Sequence, residues 1–336
     1  MKNAVRVFQV EVALLLVSAG CMGCSYSRVT DEKMDRSGSD DVPVPEGWTP
    51  IQLGLVRAAQ LFPSMYNVHG VRISVLNGRS PIVTGLDLGL GLNESDASHG
   101  LQGGFSNYVE TEGWGLQAGF ANFVGQGHVD DGYSGLQVAG FSNSGSADGI
   151  QLAGYVNGGW VVKWGEPWIP GNIRGLQIAG AFNIANSVAG VQVAAAGNAA
   201  FEPSTDFPGN PVPRPERDTP RIHAGDAPGH VWGVQVAGVA NLADRVAGVQ
   251  VAAIFNESSD GFSGLQVGGV NVVNNRIWQA CSGVQLGAVN ATGIAGFCVQ
   301  VGVINMVDGG FGVQFGLWNS NPDGFLPYFP ILNFSF

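Results

Sequence analysis

Apolar and polar positions alternate with a period of two along most of this chain. Over 312–317, Val313, Phe315 and Leu317 face one way and Gly312, Gln314 and Gly316 the other, which is the period of a β-strand. Helical spacing is absent from almost the whole chain. The alternation is carried by a phrase that returns fifteen times: a small residue, an aliphatic, Gln, an aliphatic, one or two Gly or Ala, an apolar residue or two, then Asn. Full forms are GLQVAGFSN at 135–143, GLQIAGAFN at 175–183, GVQVAGVAN at 233–241 and GVQFGLWN at 312–319. The central residue is Gln52, Gln102, Gln117, Gln137, Gln151, Gln177, Gln192, Gln235, Gln250, Gln266, Gln285, Gln300 or Gln314, and two copies carry Arg72 and Asp87 in its place. The basal spacing is 14 to 16 residues, with the turn formers Gly, Asn, Asp, Ser and Pro between copies. Asn comes five residues after Gln in some copies and six in others. The additional residue, such as Ala139, predicts a β-bulge that restores the facing of the residues beyond it.

Such a repeat sets the architecture before any single residue does. Two arrangements accommodate it. In a β-solenoid each copy is one coil and strands run parallel; in an up-and-down barrel each copy is one strand and neighbours run antiparallel. The long intervals between central positions, 52 to 72, 117 to 137, 151 to 177 and 192 to 235, are the first, fifth, seventh and ninth. All are odd, as expected if long loops emerge on one rim of a barrel and tight turns on the other. The chain ends LPYFPILNFSF, placing Tyr328, Leu332, Phe334 and Phe336 on one strand face. This ending resembles the terminal strand of bacterial outer-membrane barrels, where an aromatic carboxy-terminus is read by the barrel-assembly machinery. With it, the sequence predicts an all-β fold, an antiparallel up-and-down β-barrel of about sixteen strands, with the β-solenoid as the alternative. In the barrel the aliphatic face meets outer-membrane lipid, and the Gly, Ala and Gln face lines the interior.

Composition narrows the setting. Fifty-two Gly, 45% apolar and only 12% charged residues in 336 fit neither an ordinary soluble domain nor a strongly disordered chain. The net charge of −11 argues against nucleic acid, whose phosphates would be repelled. Residues 1–20 read as a signal peptide: Lys2 and Arg6, an apolar run from Val12 to Val17, then Ser18, Ala19 and Gly20 before Cys21. The run SAGC resembles the lipobox of bacterial lipoproteins, which implies lipidation of Cys21; ordinary cleavage at the same bond fits too. Residues 21–49 form a polar, flexible tether, and 50–336 the repeat-built domain, interrupted by a Pro-rich loop at 199–232.

The opening TPIQLGLVRAAQLFP, the stretch HGVRISVLNG with VTGLDLGLGLN after it, the serial GLQ units and the close FLPYFPILNFSF together resemble a family of bacterial surface-repeat proteins known from spirochaetes and other Gram-negative lineages. The resemblance covers residues 49–336. It implies an exported, surface-associated protein and no particular activity; with the barrel reading, the expected location is the outer membrane or cell surface of a Gram-negative bacterium.

The chemistry expected of the repeats is collective. Gln102 to Gln314 form a band, lining the lumen of a porin-like barrel that passes small polar solutes or satisfying one another as a buried amide ladder; in a lipid-anchored solenoid the alternative is a repetitive Gln face displayed to a binding partner. Arg72 and Asp87 fit a cross-strand ion pair. The loop FEPSTDFPGNPVPRPERDTPRIHAGDAPGHVWG (201–233) is a candidate for external contact. Trp160, Trp164 and Trp168, with Phe105, Phe120, Phe141 and Tyr155, suggest an aromatic belt. His223, Asp226 and His230 share one loop, but three groups in a Pro/Gly loop are a weak metal signature, and no metal or cofactor is expected. No catalytic triad, phosphate loop or carboxylate pair stands out, so the expectation is a non-enzymatic protein. Cys281 and Cys298 discriminate between the arrangements: about six residues out of register in the barrel hairpin, too far for a disulfide, but offset by only two between stacked coils.

Overall fold

A computed structural model describes residues 47–125, 132–158, 160–161, 169–201, 229–274 and 281–335. These lie in the compact unit Pro45–Phe336. The signal peptide, Cys21, the tether up to residue 46, most of the loop at 199–232 and Phe336 fall outside the described residues.

The fold is all-β, with one large mixed sheet dominated by parallel pairs. A representative copy has two strands. Asn172–Ala179 carries Gln177, and Phe182–Ala185 carries Asn183. Bends at 180–181 and at Asn186 separate these from each other and from the next copy's Ser187–Ala194. Asn172–Ala179 lies between Ser146–Ala153 and Ser187–Ala194, and pairs with both in parallel, Gln177 opposite Gln151 and Gln192. The same register runs on, placing Gln235 beside Gln250, Gln250 beside Gln266, Gln285 beside Gln300 and Gln300 beside Gln314. The short strands keep the same register, with Asn183 opposite Asn198 and Asn198 opposite Asn241.

Parallel pairing of successive copies corrects the antiparallel meander read from the loop intervals. Antiparallel pairs between the strands of the large sheet occur at its two ends. Trp48–Val56 pairs with Ala59–Gln60 near the start, and Ile304–Ser320 with Tyr328–Ser335 at the finish. Both place a returning segment over a strand that would otherwise present free backbone groups. Among the described residues no pairing joins Trp48–Val56 to Tyr328–Ser335, the pair that would close a barrel.

The glycine two residues before almost every Gln, Gln52 and Gln300 excepted, explains how copies approach so closely. Gly190 has φ of +148°, and a Cβ there would fall on the carbonyl oxygen of Gly175 in the copy before. Gly175 and Gly233 stand in the same relation to their predecessors, Gly149 and Gly190. Only glycine combines that backbone conformation with that approach. The added residue at Ala139 produces the expected irregularity: where the Gln117 copy meets the Gln137 copy the register shifts between Gly119 and Ala121, yet Asn122 still lies opposite Asn143.

Across each copy the interior is divided. One side is apolar, a cluster including Ile173, Val188, Val231, Val246, Phe262, Ala185, Ala200 and Val273. The other side consists of the Gln and Asn columns, buried along almost the whole stack. Small residues in line with Ala179, Ala194 and Ala237 sit between them, where a larger side chain would displace the amides.

Candidate functional site: two buried amide ladders and an aliphatic outer face

Every Gln from Gln102 to Gln314 is buried and donates its Nε2–H to the central residue of the preceding copy. Gln117 donates to Gln102 at 2.8 Å, Gln137 to Gln117 at 2.7 Å, Gln151 to Gln137 at 2.7 Å and Gln177 to Gln151 at 2.6 Å. The series continues through Gln192, Gln235, Gln250, Gln266, Gln285 and Gln300 to Gln314, at 2.7 to 2.9 Å. Of the two roles expected for this band, the geometry is that of a ladder.

Gln102 donates to Asp87 Oδ2 at 3.0 Å, so a carboxylate is the first acceptor. Arg72 donates through Nε to Asp87 Oδ1 at 2.7 Å and through a terminal nitrogen to Oδ2 at 2.6 Å. Both side chains are 1% exposed. The remaining Arg72 nitrogen donates to the Glu94 carbonyl at 2.8 Å. The expected cross-strand pair thus lies between adjacent copies, Arg72 opposite Asp87, and those strands run parallel. A bidentate guanidinium–carboxylate contact with its other groups occupied is the arrangement that tolerates burial. Gln52 stands outside the ladder, exchanging hydrogen bonds with Gln60 and the Phe62 backbone.

A second ladder was not anticipated from the sequence, although its Asn closes every copy after the first. Asn107 donates to Asn122 Oδ1 at 2.8 Å, Asn122 to Asn143 at 2.9 Å, Asn143 to Asn157 at 2.9 Å, and so on to Asn305 and Asn319 at 2.8 Å. Each uses its other N–H on a backbone carbonyl of the next copy, as Asn183 does on Val193 and Asn241 on Val251. Asn donors point toward later copies and Gln donors toward earlier ones. The two rows of amide dipoles therefore oppose each other along the stack, and each amide polarises its neighbours. At the first Asn, Ser74 Oγ donates to Asn93 Oδ1 at 2.8 Å.

Outside, the picture inverts. Residues flanking each Gln turn away from the interior and are mostly aliphatic: Leu53, Ile73, Leu88, Val138, Ile178, Leu286, Val301 and Phe315 on one side, Ile51, Leu101 and Ile150 on the other, all exposed. Four aromatics extend this face as an exposed or half-exposed stack, with ring centroids at 5.0 Å for Phe105 and Phe120, 5.6 Å for Phe120 and Phe141, and 5.3 Å for Phe141 and Tyr155. Trp164 and Trp168 lie outside the described residues, as does the side chain of Trp160. At the finish Phe334 stacks on Phe325 at 5.6 Å, and Tyr328 and Leu332 are exposed.

Other candidates are dispersed. His69 packs edge-on to Trp48 and His99 stacks on Trp114, while His128, His223 and Asp226 lie outside the described residues. His230 borders a cavity of about 290 Å³ with Trp232, Arg245, Phe262 and Ser263. Burial, and then the Arg245 charge, lowers its pKa from the usual 6.5. Among the described residues no group of His, Cys, Asp and Glu is placed to hold a metal ion. Cys281 and Cys298 are buried with their sulfurs 3.0 Å apart. Gly283 is opposite Cys298, the two-residue offset expected of stacked coils. No family model, curated protein or solved structure matches this chain.

Proposed function

We propose that this chain is an exported, non-enzymatic surface protein: a β-solenoid held at the outer membrane of a Gram-negative cell by acylation of Cys21 and by its aliphatic outer face resting on lipid. The observation that carries this reading is the division of each copy. Its amides are directed inward and satisfied by one another, and its aliphatic side chains are directed outward copy after copy. An apolar surface running along the stack, exposed toward both ends and half-exposed at Val193, Val236 and Val251 in the middle, is larger than the isolated patches of ordinary soluble proteins, and marks an interaction surface. Lipid suits it because the face is uniform and aliphatic, without the pocketed anchors that characterise protein partners. Its aromatic row at Phe105 to Tyr155 has the chemistry of headgroup-level residues.

Two other readings conflict with the burial of the amides. Passage of small polar solutes needs water-facing groups along a lumen, whereas the Gln and Asn amides are buried in mutual hydrogen bonds. Capture of a partner through the Gln face needs that face exposed. The test is fractionation with heated and unheated electrophoresis, then flotation of the delipidated chain with liposomes. Release by carbonate, no heat-dependent migration and flotation with lipid support the solenoid at a membrane surface. A heat-modifiable band resistant to carbonate restores the barrel, for which conductance is then the decisive assay. Failure to float removes the lipid-facing role.

A further inference from the structure

We propose that Cys281 and Cys298 form a disulfide between adjacent copies when the chain folds in the presence of a disulfide-class oxidant. The sulfurs lie 3.0 Å apart, both side chains are fully buried, and they belong to the paired strands Cys281–Leu286 and Val289–Val301. A disulfide needs a sulfur separation of about 2.05 Å, which small side-chain rotations reach from this position without moving the strands apart.

A second observation concerns what Cys298 replaces. It stands two residues before Gln300, in the column held by Gly233, Gly248, Gly264 and Gly283 in the preceding copies. Those glycines admit no side chain. At Cys298 the column is broken, and the register slips on both flanks, between Cys281 and Ser282 on one side and between Ala295 and Cys298 on the other. The irregularity turns the Cys298 side chain toward Cys281, which occupies the apolar column of Val246 and Phe262. A comparable shift occurs between Ala243 and Arg245 where both copies keep their glycines, so the feature particular to this step is the meeting of two thiols.

Closure removes one proton and one electron from each thiol. The sulfurs join, and the two electrons reduce the disulfide of the oxidant to two thiols. Both sulfurs are sealed once the copies stack, so exchange precedes the final docking of these strands. The bond then links positions 17 residues apart and staples the last copies together.

The test uses the full chain refolded in a mixture of oxidised and reduced glutathione, or in excess reductant, then alkylated under denaturing conditions. Chymotryptic cleavage after Phe297 separates the two cysteines. The expected map shows residues 281 and 298 joined and unalkylated, and the oxidised chain melts above the reduced one. Alkylation of both after oxidising refolding, or pairing with Cys21 or Cys24, overturns the proposal. Because the oxidant is supplied in the tube, this outcome is independent of whether the chain is exported.

Discussion

The two ends of the Gln ladder are built differently. At the start, Asp87 receives Gln102 and is itself held by Arg72, so the first acceptor is a neutralised carboxylate. At the finish, Gln314 donates to Gln300 and to the Ser320 carbonyl, but its Oε1 is buried with no hydrogen-bond partner among the described residues. A ladder of amides has a direction, and its two ends pose different problems. The donor-receiving end is resolved with charge, while the far end leaves an acceptor unmet beneath the returning strand Tyr328–Ser335. The interior is satisfied by repetition; the ends need individual solutions.

The largest effect is expected where charge was used. Asp87→Ala strands the buried Arg72 guanidinium, and is expected to cost about 3–5 kcal/mol in denaturant unfolding. The double variant Arg72→Gln with Asp87→Gln supplies amides at both positions and recovers most of that loss; failure to recover would mean the pair does more than terminate the ladder. In mid-stack, Gln192→Leu removes the one side chain that serves both the Gln177 Oε1 acceptor and the Gln235 Nε2 donor. The expected cost is about 1–3 kcal/mol for each group left unpaired. Gln314→Leu is the contrasting case, since it orphans Gln300 Oε1 while removing the unmet Oε1 of Gln314. Its cost is expected below about 1 kcal/mol; parity with Gln192→Leu would erase the difference between middle and end.

The smallest effect is a pH dependence. Because the folded state lowers the His230 pKa below 6.5, the folded chain takes up a proton less readily than the unfolded chain. Stability from this residue is therefore level above that value and falls as pH drops through it, until the folded form is also protonated. His230→Gln flattens that limb of a melting-temperature profile.

Strand content, repeat period and facing were legible in the sequence because the alternation of Val313, Phe315 and Leu317 with Gly312, Gln314 and Gly316 determines which side chains share a face. Strand direction was not, since parallel and antiparallel neighbours share that alternation. The parity of the long intervals pointed to a barrel, but their position within the copy was the better guide. The insertions at 125–131, 159–171 and 202–229 all come after the Asn of their copy, while the Gln-to-Asn span varies by a single residue. Insertions confined to one corner suit a coil. The pairing of Arg72 with Asp87 was readable from their substitution for Gln at successive positions. The Asn ladder was equally present in the pattern, but a short polar residue beside turn formers reads first as a turn.

The parallel stack itself is tested most directly by a distance. Spin labels attached through bioorthogonal residues at positions 69 and 282, both exposed, leave the native cysteines untouched. They flank copies Arg72 to Gln285, eleven steps apart along the ladder and its ion-pair start. At about 4.8 Å per strand the stack places them roughly 50 Å apart. A sixteen-strand barrel, with a circumference of the order of 80–100 Å at that spacing, holds them within about 30 Å. A dipolar distance near 50 Å is the predicted result, and one near 30 Å or below would contradict the account.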